Sequence, residues 1–258
     1  MRDAATRIAP ALEDDSALRR EAARLRPRLE DLVGRRYGRL PRIGYRRGLE
    51  ARLAGPWSQY LTLGFGPTRV VRITSWETSR PAIPTLLAHE LAHRFAFDES
   101  VTTLRGLEVS ARLAEEGDAL HAPSARLELA RLAAGAALVR AWRSGELAPI
   151  DAFLERIADT AVGRRLGTRW ARLRPRAVAG RAPDWALVVY ADLPGAALEA
   201  ARVCGSARAE QLPFPRFALR GPQAIFAWLY TLADAATGRR RAAVPLDATL
   251  RLWNSAEA

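Results

Sequence analysis

The chain has 258 residues, 49% of them hydrophobic and 26% charged, enough to bury a substantial core in one large domain or two small ones. No stretch approaches the ~20 uninterrupted apolar residues that a membrane span needs. After Met1–Arg7 only Ile8–Leu12 precede the charged Glu13-Asp14-Asp15, too short for an apolar leader segment, so no signal peptide is expected, and the single cysteine, Cys204, excludes an internal disulfide framework. A cytoplasmic location is the default expectation, with Cys204 as a small core residue.

From the N-terminus, residues 14–36 predict a helix. Leu18, Ala22, Leu25, Leu29 and Leu32 recur at three- and four-residue spacing, and Pro27 is expected to kink or break it. A Gly/Pro/Arg-rich connection follows from Gly34 to Gly48. Tyr60–Phe65 and Arg69–Thr74 read as two strands joined by Gly66-Pro67-Thr68, a hairpin loop. A helix is expected over 84–97, opened by Pro84. A second begins at the N-cap Asp98 with Glu99 in its first turn, runs to about Glu116 and ends at Gly117. Residues 124–143 and 149–166 give two further helical patterns, and the basic, proline-broken stretch Arg172–Pro183 reads as a linker. Beyond it come a strand over Trp185–Tyr190, helices near 195–204 and 222–236, and a short strand or helix near 246–253. There is no internal repeat. The order predicts an α+β, mostly helical fold with a small β-hairpin beside the helix at 84–97. Residues 1–175 are expected as one domain and 176–258 as a C-terminal α/β subdomain.

The helix at 84–97 carries the chemistry. Leu86-Leu87-Ala88-His89-Glu90-Leu91-Ala92-His93 has the pattern H-E-x-x-H within an apolar run, and holds two of only three histidines. On a helix, positions four apart share a face, so His89 and His93 can reach one metal ion, while Glu90 can polarise a water without ligating it. Scarce polar residues in an apolar run need partners there. A catalytic zinc takes a third protein ligand, and Asp98, Glu99, Glu108, Glu115, Glu116, Asp118 and His121 follow. A helical hairpin turning near residue 98 puts Glu108 at the depth of the two histidines, along the stripe Val101, Leu104 and Ala111. Glu108-Val109-Ser110-Ala111 also resembles the E-x-x-A ligand helix of ImmA-like peptidases. His121 reads as a surface histidine.

The run Pro84–Ser100 resembles a bacterial zincin family of unknown function. That family's pattern is a proline, H-E-x-A-H, a short turn, then an acidic segment opening the next helix. Here Ala96 stands for the family's glycine and Val101 for its asparagine. The resemblance implies a glutamate zincin with Glu99 as third ligand, Zn2+ as cofactor and a sheet edge, here the hairpin at 60–74, that holds an extended peptide. Glu99 and Glu108 both stay open as the third ligand.

A zinc metallopeptidase is therefore expected, with His89, His93 and Glu99 as ligands, Glu90 as general base and a peptide or protein substrate. Tyr190, Tyr230, His121 and several arginines are available to stabilise an oxyanion. The charge reads first as a solvated, arginine-rich surface and leaves room, less favoured, for another class of partner. The net charge is +12, carried by arginine alone, a bias expected of a GC-rich genome. Arg35, Arg36, Arg39, Arg42, Arg46 and Arg47, interleaved with Tyr37 and Tyr45, form a basic run that could pair with phosphates and stack on bases. The alternatives are accordingly a nucleic-acid-associated, SprT-like protease, or a non-catalytic zinc-binding interaction domain.

Overall fold

In the computed structural model the first helix, α1 (Asp15–Val33), is fixed at both ends by local chemistry. The Asp14 carboxylate accepts from the backbone N–H of Ala17, and Gly34 takes the left-handed conformation at φ 67° that closes the helix. Its apolar stripe, Leu18, Ala22, Leu25 and Leu29, is fully buried, and the helix continues through Pro27, which lies on the exposed face. The residues described are 12–45, 60–63, 70–73, 81–209, 219, 221–239 and 243–257.

Three short strands follow, β1 (Arg42–Tyr45), β2 (Tyr60–Leu63) and β3 (Val70–Ile73), in the order β1-β3-β2. β2 and β3 pair antiparallel with Tyr60 opposite Ile73 and Leu63 opposite Val70, as a hairpin requires; its loop lies outside the described residues. β1 pairs parallel to β3, a strand not expected in the Gly34–Gly48 connection. Ile43, Val71 and Ile73 pack with the stripe of α1 and with Ile83, Leu87 and Leu91 of the next helix, so the sheet shares a core with the H-E-x-x-H segment.

That segment is α2 (Ile83–Ala92), with Pro84 in its first turn. It ends at His93, four residues before the expected Phe97. Arg94 and Phe95 donate to carbonyls only three residues back, at 3.0 and 2.9 Å, so the last turn tightens and the chain leaves the helix. α3 (Glu99–Glu115) starts where expected. The Asp98 carboxylate accepts from Ser100 N at 2.9 Å and Val101 N at 3.0 Å, and Gly117 follows the helix with φ 83°. α4 is His121–Ser144. The single helix expected over 149–166 is two, α5 (Ala148–Arg156) and α6 (Ala161–Val178), because the Thr160 hydroxyl caps a new start by accepting from Gly163 N. α6 runs to Val178 through Pro175, where a linker was expected. The boundary expected at 175/176 thus falls inside a helix.

The strand expected over Trp185–Tyr190 is absent. The segment is one α turn (Trp185–Leu187), a π turn (Val188–Asp192) and then α7 (Leu193–Val203). Helix packing accounts for it. A methyl group at Gly135 of α4 would lie 2.3 Å from the Ala191 side chain, and one at Gly195 would lie 2.8 Å from Ala136. Two glycines thus let this segment and α4 meet at backbone distance, and its apolar residues fill a helix–helix seam. α8 (Gly221–Ala236), the ribbon β4 (Arg208–Ala209) with β5 (Val244–Pro245), and α9 (Asp247–Glu257) complete the fold. Val101, Leu104, Leu107 and Ala111 of α3 share a core with Leu198, Val244, Leu246 and Leu252 from beyond residue 176. Cys204 is exposed, not a core residue, because it caps the solvent end of α7. The fold is α+β and mostly helical, and among the described residues no helix is long and apolar enough to cross a membrane.

Candidate metal centre

His89 and Glu90 are buried in the last turns of α2, and His93 caps it. Their ligand-type atoms all lie within 4.8 Å of one another. The two imidazoles meet edge to face, with ring centroids 4.9 Å apart. α3 crosses α2 very closely here. A Cβ on Gly106 would sit 2.6 Å from the His89 backbone nitrogen and 2.8 Å from its Cα, so only glycine lets the helices approach this far.

Glu99, the first residue of α3, closes the cluster. One carboxylate oxygen, Oε2, lies 3.2 Å from His89 Nε2 and 3.3 Å from His93 Nε2. That oxygen is buried and has no hydrogen-bond partner. The two spacings equal the ligand-to-ligand edge, about 3.3 Å, of a tetrahedron whose metal–ligand bonds are ~2.0–2.1 Å. Burial raises the pKa of the Glu99 carboxyl, but the field of His93 and the contacts with both imidazoles outweigh it and hold the group well below the usual carboxylate range.

The inward ring nitrogens are also engaged. His93 Nδ1 lies 3.3 Å from the Ala96 carbonyl, which can only accept, so Nδ1 carries a proton and Nε2 is the nitrogen turned towards Glu99. His89 Nδ1 shares a hydrogen bond of 3.2 Å with the Thr103 hydroxyl. Such partners fix tautomer and ring orientation in metal-ligating histidines. Thr103 and Gly106 were missed by the sequence reading, although they stand at i+4 and i+7 from Glu99 and so share its face of α3.

The loop presenting Glu99 is held from far along the chain. Asp234 of α8 accepts from Phe97 N at 2.5 Å and Asp98 N at 2.6 Å, and Tyr230 stacks on Phe97 with centroids 4.9 Å apart. Burial raises the Asp234 carboxyl above its ordinary pKa in spite of these donors. No local signal marks either residue.

The other acids considered as third ligand are occupied. Glu108 is neither beside the histidines nor on a solvated edge. Fully buried, it accepts from Ala248 N, Thr249 N and Thr249 Oγ1 at 3.2, 3.0 and 2.8 Å, capping α9, and pairs with Arg112. Asp98 is an N-cap, Glu115 pairs with Arg251, Glu116 with Arg28, and Asp118 with Arg24. His121 is not a surface residue. It is completely buried, with Nδ1 2.9 Å from Ser110 Oγ and Nε2 3.0 Å from Glu21 Oε1, because Glu21 arrives from α1. In the basic run Tyr37 is buried edge-on against Phe95, away from any base, while Arg46 and Arg47 lie outside the described residues.

Tyr190 reaches the cluster from the π turn. Its ring centroid is 6.2 Å from that of His89, close enough for the Glu99 and Glu90 carboxylates to act on its phenol. Burial first, then the charges of Glu99 and Glu90, push the phenol well above its ordinary pKa, so it stays protonated. Compared with protein-family models, curated proteins and solved structures, the chain finds no match among any of the three.

Proposed function

We propose that the chain is a zinc-dependent metallopeptidase, with His89, His93 and Glu99 as metal ligands and Glu90 as general base. One observation carries the reading. Two imidazole Nε2 atoms converge on a single buried carboxylate oxygen at 3.2 and 3.3 Å, and no hydrogen bond satisfies that oxygen. A buried acceptor left without a donor costs about 1–3 kcal/mol, and a divalent cation bound by all three groups removes the cost. Two neutral nitrogens and one carboxylate suit zinc.

Zinc bound there supplies Lewis acidity for a carbonyl and lowers the pKa of a water towards neutrality. Glu90 takes the proton from the attacking water and hands it to the leaving amine. Its place directly after His89 keeps it within the cluster but leaves both imidazoles to the metal. In the order β1-β3-β2 the hairpin strand β2 is one of the two edges of the sheet, and an extended peptide can add to such an edge through backbone hydrogen bonds.

Metal analysis of the purified chain tests the reading. One zinc per chain is expected, retained in Glu90→Gln while hydrolysis of a peptide library falls about 100- to 10,000-fold. A wild-type chain without stoichiometric metal overturns it. A metal-loaded chain that cleaves nothing leaves a zinc-binding domain and removes the peptidase.

A further inference from the structure

Attack of water on a carbonyl leaves negative charge on the carbonyl oxygen, and the centre needs a donor aimed at it. Among the neutral side chains expected to serve, the structure separates His121, Tyr230 and Tyr190. His121 has both ring nitrogens engaged by Ser110 and Glu21, and Tyr230 lies flat against Phe97. Tyr190 is the one whose ring stands beside His89, with centroids 6.2 Å apart, within the field of the Glu99 and Glu90 carboxylates.

The backbone around Tyr190 is built to aim it. π turns insert an extra residue into a helix and recur at functional sites. Here the turn Val188–Asp192 is pinned at three points. The Val189 carbonyl accepts from Ser100 Oγ at 3.0 Å, one residue beyond Glu99. Ala191 packs into the notch left by Gly135, and the Asp192 carboxylate accepts from Arg143 at 2.7 Å. With its neighbours committed to α3 and α4, Tyr190 is left facing the histidines, and Trp185 backs its ring at 5.7 Å between centroids.

Resting on the peptidase reading, we infer that Tyr190 is the catalytic hydrogen-bond donor to the oxyanion formed at this centre. As the water oxygen bonds to the carbonyl carbon, the C=O π pair moves onto oxygen and Glu90 receives the water proton. The Tyr190 O–H donates to that oxygen, keeping its own proton. When the C–N bond breaks, the pair returns to C=O and Glu90 passes its proton to the amine.

The test compares wild type with Tyr190→Phe, each loaded with Zn2+ for kinetics and with Co2+ for visible spectra. Zinc stoichiometry is expected to be equal. kcat should fall about 100- to 1000-fold with KM within twofold, the loss seen when one oxyanion donor is removed. Affinity of the Co2+ forms for methylphosphonate, a tetrahedral anion, should fall by at least about tenfold, since a charged acceptor loses its donor. Unchanged methylphosphonate affinity with unchanged kcat overturns the assignment. So does loss of zinc from Tyr190→Phe, which would make the phenol a support for Glu99. If wild type holds metal but cleaves no peptide, the peptidase reading fails and methylphosphonate affinity alone decides for or against Tyr190. If wild type holds no metal, both readings fall.

Discussion

The three histidines sit in two buried polar clusters, and both clusters pair imidazole with glutamate. Around His121 every demand is met. Nδ1 finds the Ser110 hydroxyl at 2.9 Å, Nε2 finds Glu21 at 3.0 Å, and Glu21 is paired again by Arg24. Around His89 and His93 the inner nitrogens are met by Thr103 and Ala96, but both outer nitrogens point at one Glu99 oxygen that accepts no hydrogen bond. Burial and an acidic partner are common to the two. Unused coordinating capacity belongs only to the second, and it separates a ligand set from a structural pin.

Exchanging the roles of the two clusters by mutation gives the largest effects. His89→Ala should abolish stoichiometric zinc, whereas His121→Ala should keep the metal and lose about 2–3 kcal/mol of stability through the stranded Ser110 and Glu21; zinc analysis beside denaturant unfolding reads both. If His121→Ala also lost zinc, the clusters would not be independent. Glu108→Ala removes the buried cap of α9 and should cost about 2–4 kcal/mol, with zinc content unchanged once the variant is folded. Loss of metal from the folded variant would reopen Glu108 as a ligand. Thr103→Val keeps shape but frees His89 Nδ1, and zinc affinity measured by chelator competition should weaken about tenfold.

The smallest effect is one of pH. The Asp118 carboxyl is raised by burial but lowered further by Arg24 and by the His121 backbone N–H, for a net depression. A depressed folded-state pKa contributes stability that is complete above the ordinary carboxylate pKa and is lost as pH falls through the folded value. Thermal melts of wild type should therefore decline with acid more steeply than those of Asp118→Asn. Parallel curves would show that this carboxylate does not tie α1 to the His121 cluster.

Much of the candidate site was legible because its parts are close in sequence. The i, i+4 histidines, the N-cap Asp98 and Glu99 in the first turn of α3 all follow from local spacing. Where partners are remote, the reading stopped short. His121 reads as exposed because Glu21 lies 100 positions away, and Glu108 reads as a ligand because its partners lie 140 and 141 positions on. Trp185–Tyr190 reads as a strand because a short continuous apolar run has no period to distinguish a buried strand from a buried helix. Only the fit of Gly135 and Gly195 against that segment decides the matter, and such complementarity is invisible in either partner alone.

The grip of Asp234 on Phe97 and Asp98 also orders events in time. The two partners are separated by 137 and 136 positions, so a ribosome has made every proposed ligand long before it makes the carboxylate that braces their loop. During that interval the nascent chain offers two helical imidazoles and an unbraced glutamate. Under the proposed reading, metal acquisition is tied to the closing stages of synthesis, and a chain truncated before α8 would carry the motif without its brace.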